Sequence, residues 1–139
     1  MRITNKGYYE RTEISNSKLG EYKNSLSGSR IRMNQESLLL GNVVDSIITG
    51  SPMPQLVKSG MLVQASEMVQ SFLSDSFNSF VVDNWDKQAA FIDRISFEFN
   101  GTSLTVIGRC LSDFFDEQNG FIGDLKTTNQ TTVKGCSAG

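Results

Sequence analysis

The chain has 139 residues, of which 38% are hydrophobic, 20% charged and 9% aromatic. This length and composition are typical of one globular domain, and they exclude collagen-like, Pro-rich and membrane-spanning chains. The sequence contains no histidine, which excludes Ser-His-Asp and Cys-His catalysis and zinc sites with histidine ligands. Any chemistry must therefore use carboxylates, lysine and hydroxyl groups.

The two cysteines, Cys110 and Cys136, have neither C-x-x-C spacing nor further partners. This spacing predicts two free thiols in a reducing compartment. The start of the chain, Met1–Lys6, has no apolar segment typical of a signal peptide. We therefore expect a cytoplasmic protein without membrane contacts.

The net charge of −2 is unevenly distributed along the chain. Residues 1–60 hold 8 basic and 5 acidic side chains, a net of +3, whereas residues 61–139 hold 5 and 10, a net of −5. Clustered carboxylates are what a hard divalent cation needs, but a solvated acidic surface has the same composition. Composition alone leaves both interpretations open.

Capping residues and helical spacing predict helices in the first part of the chain. Ser15 or Ser17 is expected to begin the first, which Ser27–Ser29 closes. The others are expected over Ser37–Gly50 and Met61–Phe77, with a further short turn over Gln88–Asp93.

After these helices the apolar period changes from 3.6 to 2. Ile95–Phe99 has the alternation of a half-buried strand, and Asn100–Gly101 is a strong hairpin signal. Thr102–Arg109 is expected to return as the partner strand and Leu111–Phe115 to continue the sheet. Phe121–Thr127 is expected to follow a turn as a third strand. We predict an α+β fold, with N-terminal helices followed by a three-stranded antiparallel meander.

A possible catalytic arrangement lies at the end of this meander. Strand alternation places Asp124 and Lys126 on one face, about 7 Å apart along the backbone. If the strands pair, Asp113 comes alongside Asp124, and the two carboxylates with the Leu125 carbonyl can ligate Mg²⁺ or Mn²⁺. Lys126 would then orient or deprotonate a water and offset phosphate charge. Asp-x-Lys also occurs as an exposed ion pair without function, so the motif alone leaves that alternative open.

The segments Val106–Phe115 and Gly120–Thr128 resemble the core of the PD-(D/E)xK nuclease superfamily, in particular phage-type exonucleases and RecB-like nuclease domains. In that family an Asp near a strand end precedes Asp/Glu-x-Lys, often continued as Lys-Thr-Thr. The Gly41–Asp45 segment is similar to the family's helical motif, in which a His follows a Gly by four residues. The resemblance extends from about residue 8 to residue 128 and implies a single nuclease-like domain over 1–139, with a restriction-endonuclease-like core flanked by helices.

The sequence departs from the family in two places. Asp45 stands where the family has a metal-binding His, so Asp45 is either a further oxygen ligand or a turn cap. In addition, the sequence after Lys126 does not supply the helix with Gln and Tyr that follows in the family, so we expect a member shortened after the Asp-x-Lys strand.

The resemblance implies a metal-dependent DNA nuclease, a hydrolase of phage recombination or DNA processing. The expected catalytic residues are Asp113, Asp124 and Lys126. The expected metal ligands are Asp113, Asp124, the Leu125 carbonyl and Asp45. The alternative is an inactive nuclease-like protein that binds DNA or a protein partner, for example to inhibit a host defence.

Three other residues have competing interpretations. Arg109 is expected in a structural ion pair or on a phosphate, and Trp85 as a buried anchor or a base-stacking residue. Cys110 is expected to pack in the core.

Overall fold

The structure is a computed structural model that describes residues 1–28 and 34–128. The predicted α+β class is confirmed, because the described residues form helices and an antiparallel sheet of four strands. In chain order the elements are β1 (Arg2–Ile3), α1 (Asn5–Glu10), α2 (Asn16–Ser27), α3 (Gln35–Thr49), α4 (Ser59–Leu73), α5 (Ser76–Asn84), β2 (Asp86–Phe99), β3 (Thr102–Asp116) and β4 (Phe121–Gly123). Cys136 and the tail from residue 129 lie outside the described residues.

The ends of α2 and α3 are determined by the predicted signals. The Ser15 hydroxyl caps α2 by accepting from the Lys18 N–H, and Gly28 closes the helix with a φ of 67°. Gly50 ends α3 in the same left-handed conformation, with a φ of 77°. Glycine is favoured at such ends because it lacks the Cβ that makes positive φ costly.

The third predicted helix was too long, because the segment breaks into α4 and α5. Asp75 causes the break: its carboxylate accepts from the N–H groups of Phe77 and Asn78, at 2.9 and 3.0 Å, and begins a new helix. The helical turn predicted over Gln88–Asp93 is wrong, since those residues belong to β2. Length and β-sheet pairing outweigh the weak local signal there.

The strands run in the order β1-β2-β3-β4, each antiparallel to its neighbour. The hairpin between β2 and β3 turns at Asn100 and Gly101, with φ of 50° and 75°, as the sequence predicts. The meander gains an unpredicted edge strand, β1, which pairs with Ala90 and Phe91. The predicted third strand is shorter than expected, because β4 ends at Gly123 and Asp124–Lys126 follow it.

The core lies where α3, α4 and α5 meet the end of β3. Its buried side chains are Val43, Val44, Ile48, Ala65, Val69, Val81 and Phe114, against which Trp85 and Leu125 pack. The far end of the β2–β3 hairpin extends beyond this core. Two expectations are therefore wrong: Ile95, Phe97 and Phe99 are exposed rather than half-buried, and Cys110 is exposed rather than in the core.

None of the helices in the described part of the chain combines the length and the apolar character needed to cross a bilayer.

Candidate functional site

Asp113 is the centre of the candidate site, a partly buried carboxylate near the end of β3. The strand register runs from Lys87–Phe114 to Ala89–Ser112, which puts Gln88 opposite Asp113. Gln88 has a φ of 54°, a conformation that is rare for a residue with a side chain. Its Nε2 donates to Thr49 Oγ1 at 3.2 Å and to Asp113 Oδ1 at 3.5 Å, and so links α3 to the carboxylate.

The segment after β4 crosses next to Asp113. The Leu125 N–H donates to Asp113 Oδ2 at 2.6 Å, while the Leu125 side chain packs against the core. This anchor holds Asp124 and Lys126, the two neighbours of Leu125, at the same carboxylate. The three predicted residues are therefore together, although Asp124 and Lys126 follow a strand rather than lying within it.

The electrostatic environment of Asp113 is unfavourable for a negative charge. Burial raises its pKa to about 6, and a hydrogen bond with the Asp124 carboxyl and the charges of Asp45 and Asp124 also raise it. The hydrogen bond from the Leu125 N–H opposes this shift. Carboxylates that lie this close repel one another, and a shared proton or a cation relieves that repulsion.

Lys126 brings a positive charge to this cluster. Its Nζ lies 2.8 Å from Asp124 Oδ2, and the two side chains are 81% and 58% exposed. The hydrogen bond to Asp124, followed by the charges of Asp124, Asp113 and Asp45, raises the Lys126 pKa. Lys126 is thus held as a cation, which suits charge stabilisation better than proton abstraction from water.

Asp45 reaches the site from the last turns of α3. Its carboxylate accepts from the Ser51 hydroxyl at 2.9 Å and from the Thr49 hydroxyl at 3.3 Å. Asp45 therefore braces the turn that follows the helix, and its charge also acts on Asp113. One helical turn earlier, a Cβ on Gly41 would lie 2.9 Å from Thr127 Oγ1, so the missing side chain lets the Lys126–Thr127 segment approach α3.

Two clefts flank the Asp124–Lys126 segment. One, of about 450 Å³, lies toward α3 and is lined by Asn42, Asp45 and Lys126 among others. The other, of about 350 Å³, lies toward the start of α2 and is lined by Tyr8, Asn16 and Lys126 among others. Lys126 borders both clefts, so a ligand in either one meets its charge.

The donor set fits a hard divalent cation. In the described part of the chain, no three His, Cys, Asp or Glu side chains form a ready-made metal-binding group. Mg²⁺ does not require one, because it is commonly held by one or two carboxylates with waters and substrate phosphates. Asp113 and Asp124 supply such a carboxylate pair.

The other predicted residues have structural contacts. The Arg109 guanidinium donates to the main-chain carbonyls of Tyr8 and Glu13 and lies over the Tyr8 ring. Trp85 packs against the core and stacks on Phe121, with ring centroids 6.3 Å apart.

Two residues at the site have no signal in the sequence. Gln88 is positioned only by the strand register. Tyr9, on α1, has a raised pKa because of partial burial and the charges of Tyr8, Asp45 and Asp113. A tyrosine pair in an N-terminal segment is compatible with many environments, so neither residue could be assigned to the site in advance.

Comparison of the chain with protein-family models, with curated proteins and with solved structures gave no match. The fold class therefore rests on the structure alone, and the likeness to PD-(D/E)xK nucleases rests on the residues that carry it.

Proposed function

We propose that this protein is a metal-dependent DNA nuclease that hydrolyses phosphodiester bonds in phage recombination or DNA processing. The observation that carries the proposal is the environment of Asp113. The Asp113 carboxyl is partly buried, has a pKa of about 6 and lies against Asp124. The charge of Asp45 contributes to this raised pKa, and Lys126 interacts with the charges of Asp113 and Asp124. Asp45 lines one of the two flanking clefts and Asp124 lines the other, and a carboxyl with a perturbed pKa beside a cleft is typical of functional sites.

The order of the elements also supports the proposal. Asp45 comes from a helix, Asp113 from a long strand, and Asp124 and Lys126 from the segment after the next strand. The PD-(D/E)xK resemblance implies the same order. Gly41 keeps α3 close to this segment, which gives the Gly41–Asp45 motif a physical reason.

In the proposed reaction a water gives up one proton as its oxygen bonds to phosphorus, the bond from phosphorus to the leaving oxygen breaks, and the leaving oxygen takes up one proton. Mg²⁺ or Mn²⁺, when bound, would supply the Lewis acid that polarises the phosphate and lowers the pKa of water. Asp113 and Asp124 would hold the cation. Lys126, freed from Asp124, would stabilise the charge that develops on the phosphate oxygens.

A second candidate function is binding without catalysis, to DNA or to a protein partner such as a host-defence protein. This function is favoured by the contacts that the cluster already makes within the chain. Asp124 is already paired with Lys126 at 2.8 Å, and Asp113 already accepts from Leu125 at 2.6 Å. Because these groups already have partners within the chain, fewer of them are free to hold a cation, which favours binding without catalysis.

A cleavage assay separates the two functions. The chain is incubated with end-labelled single- and double-stranded linear DNA plus Mg²⁺ or Mn²⁺, beside Asp124→Asn and Lys126→Met. We expect metal-dependent fragments from the wild type and a rate at least about 10²-fold lower for each variant. Asp83→Asn, which removes one exposed carboxylate on α5, is the matched control and should cleave normally.

Cleavage that survives in both site variants would refute the proposed site. Absence of metal-dependent cleavage by a folded wild type would instead leave the binding function. Thermal unfolding of each variant checks that a lost rate does not come from a lost fold.

A further inference from the structure

The outer end of the β2–β3 hairpin has an unusual surface. Ile95, Phe97 and Phe99 alternate along β2 and share one face, and they are 54%, 45% and 61% exposed. This face continues into an apolar groove lined by Ile14, Leu19, Phe91 and Val106 among others. Monomeric proteins rarely expose a contiguous apolar surface of this kind without a partner.

The edge of β2 is open beside this face. Next to it, β1 pairs only with Ala90 and Phe91, and the Met1 backbone exchanges hydrogen bonds with Ile92 at 2.8 and 2.9 Å. Beyond Ile92, no described strand pairs with this edge before the turn at Asn100. The open edge is therefore Asp93–Phe99.

The hydrogen-bonding direction along this edge follows from Ile92. Because its N–H and carbonyl both face β1, the even-numbered residues that follow direct theirs the same way. Arg94, Ser96 and Glu98 thus present donors and acceptors outward. Such an edge is a template for another strand.

The central part of this edge, Arg94–Glu98, is complementary to itself. Its midpoint is Ser96, and an antiparallel partner with the same sequence, related by a two-fold axis at Ser96, places Arg94 opposite Glu98 and Ile95 opposite Phe97. Within the described residues neither Arg94 nor Glu98 forms an ion pair. The open edge of β3, Thr102–Ile107, contains no charged residue and offers no such match.

We propose that Asp93–Phe99 pairs antiparallel with the same segment of a second copy of this chain, about a two-fold axis at Ser96. This paired segment, the seam, fits the available length, because in each copy it is bounded by Ile92, whose backbone already bonds Met1, and by the hairpin turn at Asn100. The symmetric contact closes on itself and gives a dimer rather than a filament. This inference is independent of the nuclease proposal.

Two groups change partners when the seam forms. In the single chain the Asp93 carboxylate accepts from the Arg94 N–H at 2.8 Å. Pairing transfers that donor to the Glu98 carbonyl of the second copy and leaves the Asp93 carboxylate opposite Phe99 of that copy. Ile95 and Phe97 meet their counterparts in pairs without mutual hydrogen bonds, where side chains approach most closely.

Charge reversal tests the register. Arg94→Glu places Glu opposite Glu98 at both ends of the seam, and Glu98→Arg places Arg opposite Arg94. We expect each variant alone to dimerise at least about tenfold more weakly than the wild type, measured by light scattering after size exclusion over a range of concentrations. An equimolar mixture of the two variants should form a heterodimer, because every facing pair is then of opposite charge.

Arg94 and Glu98 are four residues apart on one strand, about 13 Å, so an effect within a single chain does not explain recovery in the mixture. Ser96→Pro should prevent pairing, because it removes an outward donor at the centre while leaving the bonds to β3. Ser96→Ala, which loses the contact to Thr105 but keeps the N–H, should dimerise like the wild type.

A wild type that stays monomeric at every concentration overturns the proposal. So does a dimer that withstands the single reversals and Ser96→Pro, because its interface is then elsewhere. Failure of the mixture to recover when both single variants are monomeric overturns the proposed register.

Discussion

Asp113 has an environment that is unfavourable for its ionised form. Its carboxyl is partly buried and lies among the charges of Asp45 and Asp124, so ionisation costs more than it does in water. The Leu125 N–H offsets part of this cost, because its hydrogen bond of 2.6 Å stabilises the ionised carboxylate. Repulsion between the carboxylates remains. A cation bound between them would relieve this repulsion and would therefore bind more tightly.

This environment predicts a pH dependence of stability. The pKa of Asp113 is about 6 in the folded chain and near its ordinary 3.8 when unfolded. A raised pKa means that the stabilisation from protonation is fully present below 3.8 and is lost as the pH rises through about 6. Asp113→Asn should therefore raise the free energy of unfolding in metal-free buffer near pH 8 by about 1–2 kcal/mol, allowing for partial exposure.

Urea unfolding at pH 8 and pH 4 checks this expectation, with Asp83→Asn as the control that should show little difference at either pH. The gain from Asp113→Asn should disappear at the lower pH, where the wild-type carboxyl is protonated. An equal effect at both values would mean that the charge of Asp113 is not the cause.

The sequence could predict which residues meet at the site, but not how they are held. Spacing and family resemblance predict that Asp113, Asp124 and Lys126 lie together, because antiparallel pairing brings Asp113 alongside the end of the next strand. The hydrogen bond from the Leu125 N–H to Asp113 depends on how the chain turns after β4. Gln88 depends on register and an uncommon φ, neither of which has a local signal.

Among the elements, the ends of helices are well predicted where a single capping residue determines the first or last turn. Ser15, Gly28 and Gly50 act through local hydrogen bonds and backbone conformation, so their effect can be inferred without knowing the fold. Asp75 is also a local cap, but it lies within an apolar pattern that continues from α4 into α5. The apolar periodicity therefore gives no sign of the break between α4 and α5.

We expect Asp75→Ala to lower the free energy of unfolding by about 1 kcal/mol, because two N–H groups at the start of α5 lose their acceptor. Chemical denaturation measures the change. Asp75→Asn keeps an acceptor oxygen and should be close to the wild type. If Asn and Ala were equally destabilising, the role of Asp75 would be its charge rather than its capping bond.

The β2–β3 hairpin marks another limit of sequence inference. Alternation correctly predicts the strands and Asn100–Gly101 the turn, because both are local. Alternation does not say whether anything covers the apolar face. Ile95, Phe97 and Phe99 resemble core residues in sequence, yet they lie beyond the helices that form the core.

At the scale of the whole molecule, the hydrophobic core and the candidate site lie at the same end of the sheet. Phe114 and Leu125 belong to or pack on the core, whereas their neighbours Asp113, Asp124 and Lys126 form the cluster. The core thus positions the site, and the site exists only in the folded chain. A ligand that bridges α3, β3 and the segment after β4 should therefore bind the native state and stabilise it.

The central claim, that Asp113 and Asp124 jointly hold a divalent cation, is tested most directly by calorimetric titration with Mn²⁺. We predict one site per wild-type chain, unchanged in Asp83→Asn, and an affinity lower by about tenfold or more in both Asp113→Asn and Asp124→Asn. Wild-type binding that persists unaltered in both site variants, or no binding by the folded wild type, would contradict this account.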